Sequence, residues 1–228
     1  MLKLSKSVVL VTSRGFARRK IIEETIYREL WRNLRNRYWK AEFKIPPYDH
    51  TCQVGDPVLR GHASRVQVQS IKGKDIQNLV KTMVKVMRKT GGVGLAAPQI
   101  GVGKQVIIAE FTKKHAKVWT EEKFAAREAL LFPLKVFINP ELKVLDSRQI
   151  TLPEGCLSIK GFYANVPRAY KVEISGYNEH AEHVTWTAHG YSARILQHEV
   201  DHLRGNLFID IMDTKTFGDE LWPRWNLR

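Results

Sequence analysis

Apolar side chains fall at Ile76, Leu79, Val80, Met83 and Met87, with lysines and glutamines between them. Three- and four-residue spacing gathers them onto one stripe, so the segment from Gly73 to Thr90 reads as an amphipathic helix. Gly91 and Gly92 end it, because glycine accepts the left-handed cap conformation. A second helical pattern runs from Gly190 to Leu203 and is closed by Gly205. Gln105–Phe111 reads as a buried strand. Val136–Ile138 and Leu142–Leu145 read as strands on either side of an Asn139-Pro140 turn. Tyr170–Tyr177 sets Val172 and Ile174 against Lys171, Glu173 and Ser175, and Val184 and Trp186 continue the alternation beyond a hairpin at Asn178–Glu182. Between the first strand and these lies a polar, mixed stretch, Thr112–Phe132, with a helical pattern over Glu121–Leu131; it reads as an insertion. Short strands followed by helices, without regular strand–helix alternation, indicate an α+β fold.

Composition narrows the class. The chain has 228 residues, 43% hydrophobic and 26% charged, which is ordinary for a globular protein. No run approaches the ~20 apolar residues that span a bilayer, so no integral membrane protein is expected. Two cysteines, Cys52 and Cys156, exclude a disulfide-dense secreted scaffold. The net charge of +14 is unevenly placed. Residues 1–40 hold eleven bases against three acids, so +8 lies there and +6 in the remainder. The first 22 residues contain no acid, and their bases are interleaved with hydroxyl and weakly apolar residues. That is the composition of an organelle transit peptide rather than of a secretory signal, which needs a longer apolar run and a small-residue cleavage site. The rival reading is a solvated basic tail that binds nucleic acid without sequence preference. Pro46, Pro47 and the turn at Gln53–Pro57 mark entry into a folded domain.

The strongest chemical signal is His198-Glu199-Val200-Asp201-His202. Residues four apart on a helix share a face, so both imidazoles can point at one metal ion. Glu199, one position round, can act on a water beside that ion as general base. A hydrolytic metal site takes three protein ligands and keeps a position open. Cys156, in Glu154-Gly155-Cys156-Leu157-Ser158, is the better candidate for the third, since a thiol near a divalent cation ionises. His62, His115, His180, His183 and His189 lie in loops or polar runs and read as surface or internally satisfied histidines. Cys52 reads as a small buried hydrophobe.

The segment Gly92-Val93-Gly94-Leu95-Ala96-Ala97-Pro98-Gln99 superficially matches a dinucleotide fingerprint. Context excludes it: a helix precedes it, and Pro98 falls where the binding helix would continue. Gly103-Lys104-Gln105 is no phosphate loop either, lacking the hydroxyl residue and the earlier glycine. The glycines expose backbone beside a substrate, and Gln99 offers a side-chain amide able to stabilise an oxyanion. Read alone, Gln99 capping a tight loop is the simpler alternative.

Together, GVGLAAPQ, EGCLS and HEVDHL resemble the peptide deformylase family in order and rough spacing, over about Cys52 to Phe217. The resemblance implies an α+β fold with antiparallel sheets packed around a central helix carrying the metal motif. It implies hydrolysis of the formyl group from N-formyl-methionyl peptides. By motif, Cys156, His198 and His202 hold one divalent metal ion, Fe2+ or Zn2+, and Glu199 is the acid/base. Gln99 and the Leu157 backbone N–H stabilise the oxyanion. Gly94, with Gly92 and Gly155, contacts the substrate. Glu154 supports the cysteine strand, and Asp201 belongs to an outer shell or a structural ion pair. The entry at residues 51–60 and the Thr112–Phe132 stretch look like the organellar branch, which implies the mitochondrial matrix. Leu157 departs from animal mitochondrial members that carry an acid there, and matches the bacterial form.

The expected organisation is a mitochondrial presequence over residues 1–44, a catalytic domain over 45–217 and a tail over 218–228. Two rivals stand beside the deformylase reading. An HExxH-type metallopeptidase would take a third ligand downstream of the helix. A basic RNA-binding protein would use the metal structurally, with four ligands. The residual +6 is compatible with transient ribosome association. Trp222 and Trp225 leave three uses open: packing on the domain, docking a partner, or closing a homodimer.

Overall fold

The computed structural model describes Lys44 to Leu227. The expected presequence lies almost wholly outside these residues. Backbone contacts divide the chain into Met1–Lys44 and Ile45–Arg228, and every described helix and strand belongs to the second unit.

Helix α1, Lys74–Thr90, buries Ile76, Leu79, Val80, Met83, Val86 and Met87. Gly91 ends it with φ 71°, and the Gly92 amide returns to the Met87 carbonyl at 2.9 Å. Strand β1, Gly94–Ala96, follows, then a 3-10 turn over Ala97–Ile100, then β2, Val106–Phe111, buried at every residue. The stretch after β2 forms two short helices, α2 (Lys113–Ala116) and α3 (Glu121–Ala126). The helical pattern therefore stops five residues before Leu131, and Phe132 already opens the next strand.

Two strands dominate the sheet: β3, Phe132–Cys156, and β4, Ile159–Tyr177. Strand β5, His183–His189, leads directly into helix α4, Gly190–Leu203. Strand β6, Gly218–Asp219, and helix α5, Trp222–Asn226, complete the described residues. The strands run β1-β2-β3-β4-β5 in one antiparallel path, with β6 paired to β4. The antiparallel α+β class holds, with one hydrogen-bonded path where separate sheets were expected. Helix α4 packs on it through Ala193, Leu196, Val200 and Leu203, against Ile107, Phe137, Val172 and Ile174.

Two segments with turn-type residues are strand instead. At Asn139-Pro140 the chain continues as β3. Asn139 takes φ 54°, the register with β4 shifts there, and its side-chain amide pairs with both backbone groups of Val66 at 2.7 and 2.8 Å. Long-range pairing thus absorbs a local turn signal as a bulge. Pro153-Glu154-Gly155 is also strand, paired to Asn165, Ala164 and Tyr163. There β3 has β4 on one side and no second strand among the described residues, so proline's missing donor breaks no ladder on the outer side. No helix of the described residues is long and apolar enough to cross a membrane.

Candidate metal centre

The end of β3, the loop before β2 and the last two turns of α4 converge. Helix α4 presents His198 and His202 one turn apart, with ring centroids 5.0 Å from each other. Cys156 reaches them from the end of β3, with Sγ 3.3 Å from His202 Nε2. The ligating atoms of the three residues lie within 4.8 Å of one another.

Their surroundings suit a cation. His198 Nδ1 faces Glu154 Oε2 at 3.1 Å, which leaves Nε2 for a ligand. Burial opposes charge on His198, yet Cys156 and Glu154 raise its pKa well above the usual histidine value. The same two groups that draw a proton there suit a divalent ion. Burial, with His198 and Arg168 near, drives the His202 pKa well below its ordinary value, so its imidazole is neutral, the ligating form. The Cys156 sulfur receives the Ser158 amide at 3.4 Å and Gln99 Nε2 at 3.5 Å. Buried Glu199 Oε2 lacks a hydrogen-bond partner, as a group awaiting something else in the site does. Three donors of this kind fit one ion of the zinc or ferrous class.

Glu199 is 4% exposed, and burial pushes its pKa up to about 7, with His198 opposing and Glu154 assisting. Gly94 makes room for it: a Cβ there would sit 2.8 Å from Glu199 Cδ. Gly92 packs as closely on Leu157, where a Cβ would meet Cδ1 at 2.7 Å. Gln99 caps its turn and also turns its amide into the site. Its Oε1 accepts the Ala96 amide at 2.8 Å, capping the turn, and this aims Nε2 at Ser158 Oγ (3.2 Å) and the cysteine. The Leu157 carbonyl is held by Thr51 Oγ1 at 3.0 Å and Gln53 Nε2 at 2.9 Å, fixing that loop beside the site. Gly155 lies on the exposed strand edge of the same cleft.

Sequence reasoning missed the arginines beneath. Glu154 binds Arg168 Nε and Nη2 at 3.0 Å and Arg194 Nη1 at 2.7 Å, besides His198. Arg168 also pairs with Asp201 on α4. Burial would raise the Glu154 pKa, but His198 and Arg168 hold it well below the carboxylate range. Arg194 lies one turn before His198, and that spacing was the signal available. Arg168, on β4, left none, because only the register brings it opposite Ile150 and near Glu154. None of His62, His115, His180, His183 and His189 joins the triad. Cys52 is buried and its thiol pushed up to about 12, first by burial.

The centre opens into a cleft of about 880 Å³ that contains Gly92, Gly94, Gln99, Cys156, His198 and Glu199.

The family model "Polypeptide deformylase" matches residues 49–217. The chain is similar to human "Peptide deformylase, mitochondrial", with 47% identity over 85% of this chain and 82% of the relative. It is 44% identical to Arabidopsis thaliana "Peptide deformylase 1A, chloroplastic/mitochondrial", over 72% of this chain and 61% of the relative. A Met-Ala-Ser-bound crystal structure of an Acinetobacter baumannii peptide deformylase superposes with TM-score 0.63 and 30% identity, over 71% of this chain and 96% of that one. The metal-binding cluster, the buried carboxylate beside it and these matches together place the chain in the polypeptide deformylase family.

Proposed function

We propose that the chain removes the formyl group from N-formyl-methionyl peptides, releasing formate, in an organelle and specifically the mitochondrial matrix. The observation carrying this is the joint placement of Glu199, Gln99 and the Cys156–His198–His202 cluster at one end of an open cleft. We assign Cys156, His198 and His202 as ligands of one divalent ion, Fe2+ or Zn2+. Such an ion, when bound, supplies Lewis acidity, acidifying water and polarising an acyl oxygen.

The remaining work belongs to the chain. Glu199 accepts a proton from water as its oxygen adds to the formyl carbon. It returns that proton to the amide nitrogen as the C–N bond breaks, so one group serves as base and then acid. A pKa near 7 suits both roles. Gln99 Nε2 and the Leu157 N–H donate to the developing oxyanion. Gly94 keeps the backbone open to substrate and Glu199 in place, while Gly92 and Gly155 line the substrate's path. Glu154, through His198 Nδ1, orients the ligand ring. The Met-Ala-Ser peptide bound to the Acinetobacter relative supports a peptide running along the cleft. The human and plant relatives' names, with the acid-free basic segment, support import, residues 1–44 acting as presequence and 45–217 as catalytic domain.

The test is formate release from formyl-Met-Ala-Ser by the metal-loaded chain, before and after chelation. Formate that disappears with the metal supports the reading. Cleavage of internal peptide bonds without formate would instead support the peptidase rival.

A further inference from the structure

The cleft extends well past the metal centre, onto the segment between β2 and β3. Helices α2 and α3 build that outer wall on an aromatic cluster. Trp119 packs on Phe111 (5.1 Å between centroids) and Tyr191 (4.8 Å), and His115 stacks on Phe111 at 5.9 Å. The Arg127 guanidinium lies over both Trp119 and Tyr191, at 5.4 and 5.7 Å. Its only hydrogen bonds among the described residues are long ones, 3.4 and 3.5 Å, to the Pro153 carbonyl. It is therefore held in place by ring faces, with donors to spare.

Charge on this wall is one-sided. Arg88, Lys114 and Arg127 face the cleft against Glu110 alone, and Glu110 is already taken by Arg88 in a two-point ion pair. Lys114 and Arg127 have no ion-pair partner among the described residues. Lys160 and Glu220, one of each sign, also line the cleft. A peptide leaving the metal centre along this wall meets a guanidinium and an ammonium that no carboxylate of the described residues holds in an ion pair.

We propose that the α2–α3 wall is a downstream specificity site that favours formyl peptides bearing an acidic side chain at their second or third residue. Arg127 receives the carboxylate, and Lys114 adds a longer-range attraction. This rests on the deformylase reading, since it takes the reacting end of the peptide to lie at Glu199. A cleft of about 880 Å³ is at the upper end for ligand sites, with room for more than one residue.

The test uses formyl-Met-Ala-Ser-amide and versions with Asp, Asn or Lys at the second or third position. Amidation leaves the side chain as the only carboxylate, and one free-acid peptide measures what a terminal carboxylate contributes. The readout is the ratio of kcat/KM values within each enzyme, so a general loss of activity cancels. For the metal-loaded wild type the Asp:Lys ratio should be about fivefold, the Asn peptide intermediate, and the preference should shrink with salt. Arg127→Gln should bring the ratio toward one. Lys114→Glu, at an exposed position that folding tolerates, should lower it as well. A wild-type ratio of one, or a ratio unchanged in both variants, overturns the specificity site. A preference confined to the free-acid peptide also overturns it, in favour of terminal-carboxylate binding. Absence of formate from every peptide overturns the parent reading and this one with it.

Discussion

A methyl group at Gly94 has nowhere to go but into the Glu199 carboxylate. With Cδ 2.8 Å from the would-be Cβ, Glu199 must move by a sizeable fraction of an ångström. Gly94→Ala should therefore lower turnover by about 10²-fold, as misplaced catalytic groups do, while metal content and the far-UV spectrum stay as in the wild type. Beneath the ligands, Glu154 neutralises two buried arginines whose side chains are each 5% exposed. Glu154→Ala should cost roughly 3–5 kcal/mol of stability, because Arg194 loses its carboxylate partner and Arg168 is left with Asp201 alone, and should weaken metal binding about 10–100-fold. Urea unfolding with a metal titration reads both. At this scale the sequence was legible where chemistry is local: two histidines four apart on one helix declare themselves. The arginine platform was not legible. Arg168 lies on β4, Arg194 on α4 and Glu154 on β3, and only strand register and helix packing bring them together.

Elements divided along the same line. Both long helices were readable, since a stripe of apolar residues and a terminal glycine are features within one segment. Strand ends were less so. Asn139-Pro140 and Pro153-Glu154-Gly155 carry turn chemistry, but pairing with β4 over most of its length outweighs it. Helix α1 and strand β2 are joined by a link that sequence did not show, Arg88 to Glu110 at 2.7 and 2.9 Å. Arg88 lowers the Glu110 pKa. A carboxyl group lowered by folding contributes stability above its unfolded pKa and loses it as pH falls through its folded value. Thermal melts should accordingly show Glu110→Gln less stable than the wild type at neutral pH, with the gap closing below the ordinary carboxylate range. A gap independent of pH would show that the pair contributes nothing through charge. The magnitude is tempered by solvent, because the Arg88 side chain is 55% exposed.

For the whole molecule, the basic excess separates into an address and a residue. If residues 1–44 serve import alone, a chain starting at Ile45 should fold and release formate as the full chain does. It should also lose salt-dependent RNA binding, if the full chain shows any. Retained RNA binding together with lost formate release would favour the nucleic-acid rival. The remaining +6 acquires a local meaning in the cleft, where Lys114 and Arg127 face a peptide's path. Composition alone cannot distinguish a solvated lysine from one lining a site, so this part of the charge was visible in number and not in purpose.

The central claim is that Glu199 moves the proton while Cys156, His198 and His202 hold the metal. The measurement that separates these roles is formate release from formyl-Met-Ala-Ser by Glu199→Gln, with bound metal assayed on the same sample. Removing a general acid–base group should lower turnover at least about 10²–10⁴-fold with one equivalent of metal retained. Turnover near the wild-type rate with the metal in place would contradict the account.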